Sequence, residues 1–417
     1  MSTAYDTDIS DRRAIETAIS RRSWLATSGA AVLAACAATP ARAFERIPAA
    51  SSPLSAPLDD LPRWMRIASV PGVSVAMIDR DRTTAQGFGV TRASGSDAVN
   101  ADTVFEAASL SKPVFAYLVL QLAGENVIDL DKPLGEYLAL PNAADQAARP
   151  ITARHVLSHT TGWRNWRFAR DHALTADFTP GSRFGYSGEG YYFLQRVVER
   201  LTRKGILRLT RERVFEPLGM RRSAYMSRPD LEVNRAEPHT NRGVPIDSFN
   251  TRVSRGMREF ASTSSTSMDD WTHEDAERAL PTVNKDFPIF PNFLLPNVAG
   301  SLLTTANDYA AFVKHLLGLS GVPAGGRAIL DRMLAPQVTI NDPIRWGLGV
   351  GLQSNRDGTP NQFWHWGDSG GVKAFVLGDL AARNAIVVFT NGNNGRAVYE
   401  RIVRAVRGED QAAFLWI

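Results

Sequence analysis

The sequence predicts an α+β fold in which both ends of the chain contribute strands to one antiparallel sheet and the middle is helical. Near the N-terminus, residues 73–78 and 84–90 are two runs of β-forming residues separated by a short polar turn, as in an antiparallel hairpin. Near the C-terminus, four short β-rich segments between residues 348 and 389 are separated by Gly, Asn and Asp, which predicts a meander. Strands at both ends around a helical middle imply a sheet assembled from distant parts of the chain.

Helical periodicity dominates the middle of the sequence. Apolar residues recur at spacings of three and four over residues 115–122, 192–201 and 305–317, the pattern of amphipathic or buried helices. Thr152 is placed to cap a further short helix.

These patterns define the expected organisation. We place the sheet region at about residues 62–108 and 325–417, and the helical region at about residues 109–324. Residues 236–296 mix Pro, Ser, Thr, Asn and Asp with isolated aromatics, and we expect an irregular insertion that serves either as a lid or as a stapled loop.

Composition restricts the class of protein. The chain has 417 residues, of which 44% are hydrophobic, enough for a large core in one domain of two layers or in two domains. Its formal charge is +4, and basic and acidic residues alternate along the chain, which argues against a nucleic-acid-binding protein. A single cysteine excludes an internal disulfide and a thiolate zinc site.

Residues 1–43 have the order of an export signal. Ser20-Arg21-Arg22-Ser23-Trp24-Leu25 resembles a twin-arginine motif, and the apolar run over residues 25–35 is too short for a stable membrane span. Cleavage after Ala43 would leave residues 44–417 as a single domain in the periplasm or medium. In the alternative, residues 33–36 act as a lipobox and Cys36 carries a lipid anchor.

Ser109 and Lys112 are the first candidate catalytic pair. They stand three residues apart at the predicted start of an apolar helix, so the amine can lie beside the hydroxyl. A serine needs a neighbouring base to become a nucleophile, and a desolvated lysine can act as one. The pattern alone also fits a helix N-cap serine followed by a solvated lysine.

Four sequence blocks strengthen the assignment of this pair as catalytic. Residues 108–113 (ASLSKP), 151–162 (ITARHVLSHTTG), 215–220 (FEPLGM) and 299–308 (AGSLLTTAND) resemble blocks of the β-lactamase-related serine hydrolases, which include class C β-lactamases, DD-peptidases and family VIII esterases. The resemblance covers about residues 60–410, is weaker across 236–296, and implies a β-lactamase/transpeptidase-like fold.

The resemblance also implies the remaining site residues. Tyr186, in the frame PGSRFGYSG, matches the family tyrosine and is the candidate base, held ionised beside an ammonium. Gly188 stands where the family has an asparagine that helps to hold a substrate amide. His365, Gly367 and Asp368 match the third motif. His365 would line the cleft, Gly367 would keep the strand slim, and the Asp368 amide would join that of Ser109 in an oxyanion hole.

No metal or other cofactor is expected. His155 and His159 lie four residues apart on a predicted helix, but the glutamate of an H-E-x-x-H site is missing, and the family helix accounts for both residues.

The expected function is therefore an exported serine hydrolase that forms a covalent acyl-enzyme on carboxylic esters or related small acyl substrates. One alternative is a D-Ala-D-Ala carboxypeptidase, a D-amino-acid amidase or a β-lactamase, since an exported enzyme faces peptidoglycan fragments. An acyltransferase and a non-catalytic peptidoglycan-binding sensor are further alternatives.

Overall fold

Eight strands form one antiparallel sheet in the described part of the chain. The computed structural model describes residues 58–140, 149–167, 174–263, 266–286, 290–320, 326–354 and 360–417, so the signal predicted over residues 1–43 lies outside the described residues. The strands are β1 (Gly72–Asp79), β2 (Arg82–Gly89), β3 (Phe105–Ala108), β4 (Leu302–Thr304), β5 (Val338–Thr339), β6 (Ile344–Trp346), β7 (Gly351–Ser354), β8 (Pro360–Asp368), β9 (Lys373–Asp379) and β10 (Asn384–Thr390). The order in the large sheet is β2-β1-β10-β9-β8-β7-β6-β5, and β3 and β4 form a separate ladder.

The two ends of the chain meet between β1 and β10. Their antiparallel register runs from Val73 opposite Thr390 to Asp79 opposite Asn384. The predicted α+β fold, with one sheet formed from both ends of the chain, is therefore confirmed.

Helices cover both faces of the sheet. They are α1 (Leu61–Ala68), α2 (Ser111–Gly124), α3 (Ala153–Leu157), α4 (Gly188–Thr202), α5 (Ile206–Thr210), α6 (Pro229–Glu232), α7 (Phe249–Ala261), α8 (His273–Val283), α9 (Ala306–Leu316), α10 (Gly326–Leu334), α11 (Gly395–Arg407) and α12 (Ala412–Trp416). Val387 packs with residues of α2 and α9, whereas its neighbour Val388 packs with residues of α1 and α11, because successive strand side chains point to opposite faces. Among these helices, none is long and apolar enough to cross a bilayer.

The central helix α2 begins two residues after the candidate nucleophile Ser109. Nearly all of its residues are buried, which is typical of a helix that is apolar on every side and lies inside the core. Its first turn is fixed by Ser111, whose Oγ donates to the carbonyl of Ala108 at 2.5 Å and accepts from the amide of Leu302 at 2.9 Å.

The expectation of an irregular segment over residues 236–296 is corrected. This segment contains the helices α7 and α8. Helix α7 starts at the N-cap Ser248 and buries Val253 and Met257, which are four residues apart. Helix α8 starts with a capping box between Thr272 and Asp275. The polar composition hid two short helices, because each buries only a narrow apolar face.

Candidate active site

Ser109 lies in a tight turn between β3 and α2. The residue before it, Ala108, has φ of +46°, a left-handed conformation that is strained for alanine. The turn is closed by Leu110 N donating to Ala107 O at 3.0 Å and by Lys112 N donating to Ser109 O at 3.0 Å. Pairing of Ala108 with Leu302 on β4 holds the strained residue in place. The Ser109 side chain is thereby held half-buried at the start of the helix.

Lys112 is buried beside the Ser109 hydroxyl. Its Nζ lies 3.0 Å from Ser109 Oγ and 2.6 Å from the carbonyl oxygen of Ala299, and only 1% of the residue is exposed. Burial holds the pKa of Lys112 well below its ordinary value, because the ammonium loses its hydration. Burial thus favours the neutral form of the amine, which can accept the serine proton.

Tyr186 covers the other side of the lysine. The Lys112 Nζ lies 4.8 Å from the centre of the Tyr186 ring. Burial raises the pKa of Tyr186 above its usual value. The Ser109 hydroxyl lies near the phenol and partly offsets this increase in pKa. The Tyr186 hydroxyl makes no hydrogen bond of normal geometry with the described residues. Burial disfavours the charged form of both groups. The phenolate beside an ammonium that the resemblance implies stays a prediction.

His159 packs against the ring of Tyr186. The two rings stack with centres 4.2 Å apart and an angle of 26°. His159 Nδ1 accepts a hydrogen bond from the amide of Ser187 at 3.1 Å, and Ser187 Oγ caps α4 by accepting from the amide of Gly190 at 3.1 Å. His159 is thus a packing partner of Tyr186, a role that the sequence analysis missed.

His365 lies on β8 in the same buried group. Its Nδ1 lies 2.7 Å from the carbonyl oxygen of Trp366, so the neutral ring carries its proton on Nδ1 and leaves a lone pair on Nε2. Burial, and next the neighbouring Lys112, lower the pKa of His365 to about 3. Its ring centre is 6.4 Å from that of Tyr186. His365 is therefore a neutral acceptor beside the lysine and the tyrosine.

Gly367 brings β8 against the turn that holds Ser109. A Cβ added to Gly367 would lie 2.4 Å from the carbonyl oxygen of Ala107 and 3.3 Å from the Cβ of Ala108. The close approach of the two backbones therefore requires a residue without a side chain at position 367, as the sequence predicted.

Asp368 has its carboxylate tied to a lysine. Its Oδ1 lies 2.7 Å from Lys373 Nζ and accepts from the amide of Gly370 at 3.0 Å. Lys373 also donates to the side chain of Asn393 at 2.9 Å. The charge of Asp368 is thus balanced next to the position predicted for an oxyanion. The oxyanion role of the Asp368 amide remains a prediction.

Trp166 occupies the space beside Gly188. A Cβ on Gly188 would lie 2.4 Å from Cζ2 of the Trp166 indole. Two contacts hold residues 165–167 against the start of α4. Gly188 N donates to Asn165 Oδ1 at 2.8 Å, and Arg167 forms an ion pair with the buried Glu189 at 2.6 Å. Residue 188 therefore has no room for a side chain while the indole stays in place.

The structure separates His155 from His159. His155 Nδ1 accepts from the amide of Thr152 at 3.3 Å and completes a capping box on α3, whereas His159 lies at Tyr186. Over the ranges that the structure describes, no group of three or more His, Cys, Asp or Glu side chains is placed to hold a metal ion.

Comparisons with known proteins identify similar sequences and a similar fold. A family model described as Beta-lactamase matches residues 42–409. Penicillin-binding protein 4 of Amycolatopsis lactamdurans is 29% identical over 372 residues, which cover 82% of this chain and 86% of that protein. Esterase EstB of Burkholderia gladioli is 30% identical over 155 residues, covering 30% of this chain and 39% of that protein. A class C β-lactamase structure has the same fold, with a TM-score of 0.68, 16% identity, and coverage of 86% of this chain and 97% of that one.

Proposed function

Since the chain belongs to the Beta-lactamase family, a family of serine hydrolases, we propose that Ser109 forms a covalent acyl-enzyme with carboxylic ester substrates. The observation that carries the proposal is the contact of 3.0 Å between the buried Lys112 amine and Ser109 Oγ. In this contact the hydroxyl is the nucleophile, and the adjacent amine in its neutral form is the base that accepts its proton.

In the proposed reaction, Lys112 Nζ takes the proton of Ser109 as Oγ attacks the ester carbonyl. The amides of Ser109 and Asp368 stabilise the oxyanion, a contribution of typically ~3 kcal/mol for each donor. When the bond from carbon to the alkoxide breaks, the proton passes from Lys112 to the leaving alcohol, with the Tyr186 hydroxyl positioned to relay it. Water then attacks the acyl-enzyme by the same route in reverse and releases the acid and free Ser109.

The preference for esters rests on Gly188 and Trp166. The indole lies 2.4 Å from the position of a Cβ on Gly188, so no side-chain amide can project from residue 188 to pair with a substrate amide. An ester has no N–H group to satisfy, so it does not need that partner. A D-Ala-D-Ala carboxypeptidase is the second candidate, because the similarity to a penicillin-binding protein extends over 82% of this chain.

We also propose that the enzyme is exported. The arginine pair at residues 21 and 22 and the small-residue site at residues 41–43 support this proposal. Replacing Arg21 and Arg22 by lysine should retain the protein in the cytoplasm. Cys36→Ser should leave fractionation unchanged if cleavage follows Ala43, and should release the protein from membranes if Cys36 is lipidated.

A fluorophosphonate probe tests the function directly. The expected result is one modified residue, Ser109, mapped by mass spectrometry, and loss of labelling and of p-nitrophenyl ester hydrolysis in Ser109→Ala. Ser182→Ala is the matched control, since Ser182 is exposed near Tyr186 and should leave labelling unchanged. Rates with p-nitrophenyl esters, nitrocefin and a D-Ala-D-Ala peptide then rank the substrates. Labelling elsewhere, or none, would refute the proposal.

A further inference from the structure

The catalytic amine is held from two sides, and its second partner is a backbone carbonyl. Lys112 Nζ donates to Ala299 O at 2.6 Å. A carbonyl oxygen can only accept, so Lys112 directs a hydrogen to Ala299 O, and in its neutral form the amine keeps its lone pair free for the Ser109 hydroxyl. The position of Ala299 O therefore contributes to the orientation of the amine.

We propose that Gln195 is a positioning residue for Lys112, acting through the turn formed by residues 296–299. Gln195 lies on α4 and is fully buried. Its Oε1 accepts from the amide of Val298 at 3.0 Å, and its Nε2 donates to the carbonyl of Pro296 at 3.1 Å. One carboxamide thus clamps both ends of the peptide segment that precedes Ala299.

The turn is completed by Asn297. Its Oδ1 accepts from the amide of Ala299 at 2.9 Å, and its own amide donates to Ser301 Oγ at 2.9 Å. Asn297 closes the turn locally, whereas Gln195 connects the turn to a separate helix. The Gln195 clamp holds the backbone of residues 296–298, which leads into Ala299 and so places its carbonyl near Lys112.

The orientation of the Gln195 carboxamide is itself fixed. The second hydrogen of its Nε2 points to Glu199 Oε1 at 3.0 Å, and Glu199 Oε2 accepts from the amide of His273 at 2.9 Å. A flipped carboxamide would set its oxygen against the carbonyl of Pro296 and its nitrogen against the Val298 amide. The amide of His273 at the start of α8 therefore helps to fix Gln195 through Glu199. Gln195 in turn acts on Lys112 through residues 296–299.

Gln195 also links the two sides of the site. Helix α4 begins at Gly188, two residues after Tyr186, and the same helix carries Gln195. The clamp thus ties the tyrosine side of the cleft to the carbonyl that orients Lys112. This inference rests on the serine hydrolase function proposed above.

The test compares Gln195→Leu with Gln353→Leu in the full-length protein. Gln353 is a buried glutamine whose Oε1 accepts from the amide of Ala413 at 3.1 Å and whose Nε2 donates to Gln411 at 2.8 Å, so both variants lose a buried clamp. We expect Gln195→Leu to lower kcat by about 100-fold, the loss typical of a displaced reacting group, with little change in KM. Its acidic pH limb should move to higher pH, because water that reaches Lys112 raises the pKa of the amine. Gln353→Leu should lower Tm while keeping the kcat and the pH limb of the wild type.

Gln195→Glu provides a second readout if the leucine variant does not fold. A carboxylate at this position faces two acceptors, whereas its protonated form can donate to one of them, so its activity relative to the wild type should rise as the pH falls. Equal kcat and pH limbs in Gln195→Leu and Gln353→Leu, or a pH-independent ratio for Gln195→Glu, would overturn the role of Gln195. Absence of fluorophosphonate labelling in the wild type would instead overturn the hydrolase function.

Discussion

The Nζ atom of Lys112 lies 3.0 Å from Oγ of Ser109, and the lysine that makes this contact is 1% exposed. Proximity and burial act together here, because the first permits proton transfer and the second lowers the pKa of the amine.

Lys112→Arg should abolish most of the ester hydrolysis, because it replaces an amine that can lose its proton by a group that cannot. A guanidinium stays protonated in proteins and cannot take the Ser109 proton. We expect kcat/KM for a p-nitrophenyl ester to fall by about 10²–10⁴-fold, the typical contribution of a general base. Lys132→Arg is the matched control, because Lys132 pairs with Glu136 at the surface and should keep wild-type rates. A Lys112→Arg enzyme with wild-type kcat/KM would contradict the assignment.

The pH dependence of kcat/KM should reflect the lysine. The active form carries a neutral Lys112, so the rate should rise with pH through an acidic limb that lies below the ordinary lysine pKa of about 10.4. It should fall again only at alkaline pH, where Tyr186 ionises, since burial raises the pKa of that phenol. The pKa of His365 is about 3, so the limb should remain in place in His365→Gln. A limb that vanishes in this variant would assign the titration to the histidine.

Gly188→Ala should destabilise the protein and disturb the cleft. The added methyl would meet the Trp166 indole at 2.4 Å, and overpacking of this kind typically costs about 1–3 kcal/mol. Urea denaturation would measure this loss, and Gly124→Ala is the control because a methyl there meets no atom within 4 Å. Combining Gly188→Asn with Trp166→Ala should restore stability and raise the rate for nitrocefin relative to esters. An unchanged ratio would show that the indole does not set the preference.

Lys373→Met should slow the chemical step through Asp368. Without the ammonium at 2.7 Å, the Asp368 carboxylate would repel the negative charge that develops on the substrate oxygen, and we expect kcat to fall about tenfold, or ~1.4 kcal/mol. Asp368→Asn in the Lys373→Met background should recover most of this loss, since it removes the repelling charge. Single-turnover kinetics on the double-mutant cycle would measure the coupling, and additive losses would exclude it.

The parts of the fold that sequence patterns predicted are those with a local signal. The hairpin of β1 and β2 and the helix α9 follow from apolar periodicity, and the close pair of Ser109 and Lys112 follows from a spacing of nearly one helical turn. The helices α7 and α8 were missed because their short apolar faces lie in polar sequence.

The missed parts of the site depend on contacts between distant segments. Ala299 contributes a backbone carbonyl, which every residue possesses, so its contact with Lys112 leaves no mark in the residue type. Trp166 matters to the site because it lies against Gly188. That contact depends on how the loop that contains Trp166 packs on α4. Burial shifts the pKa values of Lys112 and Tyr186, and the spacing of residues in the sequence does not report burial.

The pairing of β1 with β10 has a consequence for biosynthesis. Residues 73–79 leave the ribosome early, but their partners are residues 384–390, so the nascent chain carries β1 with one edge unpaired during most of its synthesis. Exposed strand edges favour aggregation, and such non-local pairing folds slowly. The chain is therefore expected to complete its fold only after translation has ended and to need a chaperone until then. A message truncated before codon 384 would yield a chain that never closes its sheet.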